Sequence, residues 1–225
     1  MTVRLGSAAA LDNVGGRCPV DDEGVPLTSL ASAVTDFVAA HSPEFLVAHC
    51  RRSYRLAMLI AAAQGIEVDV VVLFAAVMMH DLGLTRAFHA PDVRFEVASA
   101  NAARDFAVAQ GMSARRADRV WDAVALHGTG GIAEAKSPEA HAAYAGIAAD
   151  VTGLGLHEFD PDTIAEVMST RVGFARPFID AIVADLEDKP QVAGSNWMAP
   201  VAAAHVPGFQ PVSVEDLAFA NRYES

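Results

Sequence analysis

The sequence contains few cysteines and few basic residues. Cys18 and Cys50 are the only cysteines among 225 residues, so a multi-disulfide framework is excluded and two reduced thiols are expected. Lysine and arginine together number 16, against 28 aspartates and glutamates, which gives a formal net charge of −12. Because such an acidic surface repels phosphate backbones, the composition argues against a nucleic-acid-binding protein.

Long apolar runs are also missing. The most apolar stretch, residues 68–79, is interrupted by Asp69 and closed by His80 and Asp81, well short of the ~20 residues that span a bilayer. Residues 1–10 lack the apolar core of a secretory signal. We therefore expect a cytoplasmic protein that has no membrane partner.

Apolar residues are abundant, alanine above all. They make up 52% of the chain, which is enough for the core of one domain of this length. Alanine is the strongest helix former, so its runs predict an all-α bundle. We expect an N-terminal arm over residues 1–26, a helical domain over 27–190, and a C-terminal extension over 191–225 packed on that domain.

Apolar residues at spacings of three and four predict about seven to nine helices. Ser42-Pro43-Glu44 and Ser137-Pro138-Glu139 are start signals with serine as N-cap, and Gly65 and Gly111 are natural stops. The predicted helices cover residues 28–40, 43–64, 70–82, 94–110, 114–127, 138–152, 161–171 and 174–187.

Four residues on three of these helices can hold a metal ion. His80 and Asp81 close the most apolar helix, where an uncompensated carboxylate is expensive to bury and a divalent cation would neutralise it. His49 and Asp150 occupy inward positions on two other helices. Two imidazoles and two carboxylates suit Zn²⁺, Fe²⁺, Mn²⁺ or Co²⁺. We predict one divalent metal, with Zn²⁺ favoured, on His49, His80, Asp81 and Asp150.

The order His, His-Asp, Asp resembles the HD-domain superfamily of metal-dependent hydrolases. The surrounding residues are similar as well: AHCRRSYRLA around His49, MMHDLGLT around the pair, and GIAADVTG around Asp150. The resemblance implies an HD-type helical bundle built around the metal site.

Two further stretches narrow the resemblance. Many HD phosphohydrolases continue HD-x-G-K, whereas Leu84 follows Gly83 here. The segments RFEVASANAARDF and VWDAVALHGTGGIA look like the cyanamide hydratase-like branch. That likeness implies a hydratase that adds metal-activated water to a small nitrile-like substrate such as cyanamide.

His127 and Glu96 are the predicted catalytic residues. His127 ends an amphipathic helix just before a glycine-rich loop, where it can act as a general acid or base, an additional ligand or a substrate donor. Glu96 can orient a ligand histidine or accept a proton from water. The alternative for His127 is a packed core histidine. The alternative for Glu96 is a first-turn acid favoured by the helix dipole.

Three other functions stay open at this point. A phosphohydrolase acting on a nucleotide requires a basic pocket, drawn from Arg51, Arg55, Arg86 or Arg94. A di-iron oxygenase requires more histidines at the site, for which the chain offers, among others, His89 and His141. A degenerate HD domain acting as a binding module would usually have lost a ligand. The apolar helices and Trp197 also permit a homo-oligomer.

Overall fold

The regular structure is helical throughout the described part of the chain. The computed structural model describes residues 18–194 and 196–223, and it contains no strand there beyond one isolated bridge between Val20 and Pro26. The predicted all-α class is confirmed. The helices are α1 (Ser29–His41), α2 (Glu44–Gln64), α3 (Val70–Met79), α4 (Phe95–Ala109), α5 (Ala114–Ala125), α6 (Ala133–Lys136), α7 (Pro138–Thr152), α8 (Pro161–Val167), α9 (Ala175–Asp188), α10 (Ala199–His205) and α11 (Val214–Phe219).

α3 is the central element of the bundle. All ten of its residues are buried, which explains why its sequence is apolar on every side. Helices α1, α2, α4, α5 and α7 pack around it. Gly146 lets α7 approach α2 closely, since a Cβ at this position would lie 2.4 Å from the Ser53 carbonyl oxygen. This close contact brings His49 of α2 beside Asp150 of α7.

Several helix ends differ from the prediction. α3 stops at Met79 rather than at residue 82, and residues 82–84 form a 3-10 turn. Within this turn, a Cβ at Gly83 would lie 2.3 Å from the Phe95 carbonyl oxygen, so glycine is required for the chain to pass α4 this closely. Ser42 is not the N-cap of α2, because it ends α1 and Pro43 takes the cap position.

The C-terminal part of the predicted helix 161–171 is also different. α8 ends at Val167, and Met168–Arg171 continue as a 3-10 helix. Three short helices, α6, α10 and α11, were not predicted, and they raise the count in the described part of the chain above nine.

Besides the hydrophobic core around α3, a second hydrophobic cluster joins α9 to the segment after it. Ala193, Met198 and Ala202 are buried there with Phe95 and Phe178.

The predicted domain boundaries stay predictions, and residues 1–17 of the predicted arm lie outside the described residues. Among the described helices, none has the length and apolar character needed to cross a membrane.

Candidate metal centre

Three side chains converge at the end of α3. His80 is the C-cap of this helix, Asp81 follows it, and His49 approaches from α2. His49 Nε2 lies 3.1 Å from His80 Nε2, and Asp81 Oδ2 lies 3.6 Å and 3.3 Å from these two nitrogens. All three side chains are buried. The three ligand atoms therefore surround one small volume that is shielded from solvent.

The partners of the two imidazoles fix which ring nitrogens carry protons. The Val77 carbonyl oxygen lies 2.7 Å from His80 Nδ1, and a carbonyl can only accept, so Nδ1–H donates. The Asp150 carboxylate lies 2.6 Å from His49 Nδ1 and likewise accepts. In the neutral rings both Nε2 atoms then carry lone pairs, which point towards each other.

The positions of these three ligand atoms are better explained by a bound cation than by contacts within the protein alone. Asp81 Oδ2 is a buried oxygen that has no hydrogen-bond partner among the described residues. Ligands about 2.0–2.2 Å from a shared ion stand roughly 3–3.5 Å apart, close to the spacing seen here. The cluster His49–His80–Asp81 can therefore hold a divalent metal ion.

In the chain without a metal, a proton on His80 has to balance the site. Burial lowers the pKa of His80, but the adjacent Asp81 carboxylate outweighs burial and raises that pKa well above its ordinary value. Burial lowers the pKa of His49, because its carboxylate partners only partly offset the loss of solvation. A bound cation would take over the charge that His80 otherwise carries.

Asp150 lies on the far side of the His49 ring from His80. Arg52 holds its carboxylate with two hydrogen bonds, of 2.6 Å and 2.9 Å, and Arg171 donates to the Asp150 carbonyl oxygen. Burial raises the pKa of Asp150, but the bonds from His49 and Arg52 outweigh it and keep the pKa low. The structure thus brings Asp150 to His49, and its role as a metal ligand stays a prediction.

His127 packs against His80. The ring centroids are 4.8 Å apart in an edge-to-face arrangement, and His127 Nδ1–H donates to the Val124 carbonyl oxygen at 2.6 Å. Burial, reinforced by His80, lowers the pKa of His127 to about 4. At neutral pH the ring is therefore uncharged, and its Nε2 is available as an acceptor.

Glu96 lies in the first turn of α4 and is fully buried. Arg94 donates to both of its oxygens, and the indole Nε1 of Trp197 donates to Oε1 at 2.9 Å. Burial raises the pKa of Glu96, but the hydrogen bond from Arg94, the interaction with His127 in its protonated form and the charge of Arg94 together outweigh burial and lower that pKa. Glu96 is thus an ionised carboxylate in the electrostatic field of His127.

Phe174 separates the cluster from a surface cavity. Its ring stacks on His49 with 4.8 Å between centroids, and Arg52 lies 5.1 Å above the same ring. Both residues also line a cavity of about 540 Å³ that contains Arg51 and Arg55. Arg55 already donates to Glu166 at 2.7 Å.

Other histidines considered in the sequence lie elsewhere. His89 faces Asp185 and Asp188 at 3.8 Å and 3.9 Å, and His141 lines a separate cavity beside α7. Within the ranges that the structure describes, the only group of three or more potential ligands is His49, His80 and Asp81.

Sequence reasoning missed the parts played by Phe174 and Trp197. Both act through contacts over about a hundred residues, for which no local pattern gives a signal. The pairing of Arg52 with Asp150 likewise joins residues far apart in the chain.

Comparison with known proteins supports the metal site. Residues 46–151 match the family model of the HD domain, a stretch that includes His49, His80, Asp81 and Asp150. Domains of this family typically act as metal-dependent hydrolases and bind divalent ions. A search of curated proteins finds no match to this chain.

Proposed function

We propose that the HD domain of residues 46–151 binds one divalent metal ion, with Zn²⁺ favoured, and adds water to a small substrate of the nitrile or cyanamide type. The observation that carries the proposal is the convergence of His49 Nε2, His80 Nε2 and Asp81 Oδ2, an oxygen for which the described residues supply no hydrogen-bond donor. Asp150 is the fourth residue of the proposed site, because it holds His49 through Nδ1.

A divalent ion supplies Lewis acidity, which lowers the pKa of water towards ~7 and polarises the electrophile. The neutral His127 accepts the proton that water releases as its oxygen bonds to the nitrile carbon. The resulting imidazolium returns this proton to the nitrile nitrogen, so that one water adds across the C≡N bond. Glu96 stabilises the transient charge on His127, consistent with the electrostatic coupling between them.

The surroundings favour a small neutral substrate. The guanidinium groups of Arg52 and Arg94 are already paired, with the carboxylates of Asp150 and Glu96 respectively. His127 is uncharged, and Phe95 and Phe174 supply apolar walls. The similarity of residues 94–106 and 120–133 to the cyanamide hydratase-like branch supports the same reaction class.

The first experiment measures metal content after reconstitution with Zn²⁺, Fe²⁺, Mn²⁺ or Co²⁺ in separate samples. Wild-type protein should bind about one ion per chain, and Asp81→Asn should bind none at the same free metal concentration. Asp188→Asn is the matched control, since this aspartate is 73% exposed and belongs to α9. Stoichiometric metal on Asp81→Asn would sink the proposed site. The same assay on Asp150→Asn decides whether this residue is a ligand.

The second experiment tests the reaction. Metal-loaded protein is incubated with cyanamide and with small aliphatic nitriles, and urea or amide formation is followed by NMR. Product that depends on both the metal and His127 supports hydration. Absence of product with every nitrile, from a fully loaded enzyme, rejects the hydratase assignment.

One observation favours a second candidate, phosphoester hydrolysis. The 540 Å³ cavity carries Arg51 and Arg55 and is bounded by Arg52 and Phe174, which contact Asp150 and His49. A nucleotide panel with phosphate detection tests it. Release of phosphate that Arg51→Ala abolishes would replace hydration by phosphoester hydrolysis.

A further inference from the structure

We propose that Trp197 is a positioning residue that holds the Glu96 carboxylate in place, so that the segment after α9 completes the site. The proposal rests on the proposed function in so far as Glu96 assists His127. The contact itself can be tested independently of any activity.

The indole makes a direct hydrogen bond to Glu96. Trp197 Nε1 lies 2.9 Å from Glu96 Oε1, the oxygen that also accepts from an Arg94 guanidinium nitrogen. The second bond from Arg94, to Oε2, is longer, at 3.3 Å. Of the side-chain donors, two therefore hold Oε1, and one holds Oε2 at a longer distance. The carboxylate thus has a fixed plane and one less engaged oxygen.

The shape of the site leaves the indole little freedom. Phe95 meets the indole edge to face with 6.1 Å between ring centroids. At Gly128, the residue after His127, an added Cβ would lie 2.5 Å from Trp197 Nε1. The next residue, Met198, is fully buried in the second hydrophobic cluster. These contacts place a single neutral donor between the α4 acid and the loop that follows His127.

A neutral donor at this point stabilises the ionised form of Glu96 without adding charge. The other charged or titratable groups that act on Glu96 are Arg94, His127 and the buried Asp185. Removing the indole N–H should therefore raise the pKa of Glu96. In the pH profile of any activity that requires ionised Glu96, the acid limb should then move to higher pH. A residue that only filled space would not shift this limb.

The contact is tested by the two indole N–H resonances, since the chain has two tryptophans. Glu96→Gln should shift the Trp197 resonance and leave that of Trp121, whose indole donates to Asn101 instead. An unshifted Trp197 resonance that exchanges freely with solvent would overturn the proposal. This measurement requires neither metal nor substrate, so it stays decisive if the proposed function fails.

The positioning role is tested with Trp197→Phe, which keeps an aromatic ring and loses only the donor. In the metal-loaded enzyme we expect kcat to fall about 10- to 100-fold, KM to change little, and the acid limb to move to higher pH. Trp121→Phe is the matched control and should leave all three unchanged. If Trp197→Phe retains wild-type kcat and acid limb, the indole has no positioning role. Unchanged metal content in Trp197→Phe separates this result from loss of the centre.

Discussion

Two buried aspartates in this protein are neutralised in different ways. Asp185 of α9 lies 2.8 Å from the fully buried Lys189 Nζ, which also donates to the carbonyl oxygens of Ala90 and Val93. The Asp185–Lys189 contact is ionic rather than an aligned hydrogen bond, because both carboxylate oxygens lack a hydrogen-bond partner. Asp81, which is equally buried, faces only His49 and His80.

The difference separates a carboxylate that has a permanent cation beside it from one that has none among the described residues. Lys189 is a permanent cation that stays with the chain, so the Asp185 pair serves the fold by tying α9 to the loop before α4. Asp81 has no such cation, and only a protonated histidine or a bound metal can balance it. Asp150 resembles Asp185 in having a permanent cation beside its carboxylate, since Arg52 neutralises it.

The largest expected effect on stability comes from removing Lys189 from the buried Asp185–Lys189 pair. Lys189→Met leaves the buried Asp185 with His89 Nε2, 3.8 Å away, as its remaining basic neighbour in the described residues, and it removes the Nζ donor to the carbonyl oxygens of Ala90 and Val93. Burial already raises the pKa of Asp185 even beside Lys189, which shows how poorly solvated it is. We expect the free energy of unfolding to fall by about 3–5 kcal/mol, measured by denaturant titration.

Two variants sharpen this result. Replacing both partners, as Asp185→Leu with Lys189→Met, should recover much of the loss, because two apolar groups leave no orphan charge. Asp81→Asn in metal-free protein should cost less than Lys189→Met, because His80 can release its proton once the Asp81 charge is removed and no buried charge is then left unpaired. If Asp81→Asn destabilises the metal-free protein as strongly as Lys189→Met does, the distinction between the two aspartates is wrong.

The next effect in size is metal-dependent stability. Because the ion binds the folded cluster and not the unfolded chain, saturation at about 100 times Kd should raise the free energy of unfolding by ~2.7 kcal/mol. Thermal unfolding with and without a chelator measures this gain. Asp81→Asn should unfold identically in both conditions, whereas Lys189→Met should keep the metal-dependent gain. A chelator response that survives Asp81→Asn would place the metal elsewhere.

The sequence predicted most of the fold because helix signals are local. Alanine content, apolar spacing and N-cap residues act within a few residues of their helices, and Ser137 caps α7 as predicted, whereas Ser42 does not cap α2. The close passage of the 3-10 turn against α4 could not be predicted in this way, since it depends on Gly83 meeting the backbone of Phe95, a tertiary contact.

The candidate site was predictable to a similar extent. A carboxylate closing a wholly apolar helix indicates a need for compensation, and this argument identified Asp81 correctly as a buried, unpartnered group. Which residues surround each aspartate depends on packing between distant segments. For this reason the Arg52–Asp150 and Trp197–Glu96 contacts became visible only in the folded chain.

The smallest expected effect concerns Asp69, a partly exposed aspartate that also has its own cation. Its carboxylate caps α3 through the Val72 N–H and accepts two bonds from Arg116. Burial raises the pKa of Asp69, but the Arg116 and Val72 bonds outweigh it and lower the pKa below 3.8. Asp69→Asn keeps a capping oxygen and loses the charge, so we expect a loss of roughly 0.5–1 kcal/mol at pH 7.

The pH dependence of this loss identifies its cause. A lowered pKa contributes stability that is complete above the ordinary value of 3.8 and is lost as pH falls through the folded-state pKa. The difference between wild type and Asp69→Asn should therefore be constant near neutral pH and shrink in acid, as measured by urea titrations at several pH values. Asp105→Asn, at an 80% exposed side chain, should show no such trend. A difference that persists unchanged in acid would assign the loss to the cap rather than to the charge. A neighbouring cation would then stabilise an aspartate only where the pair is buried, as at Asp185.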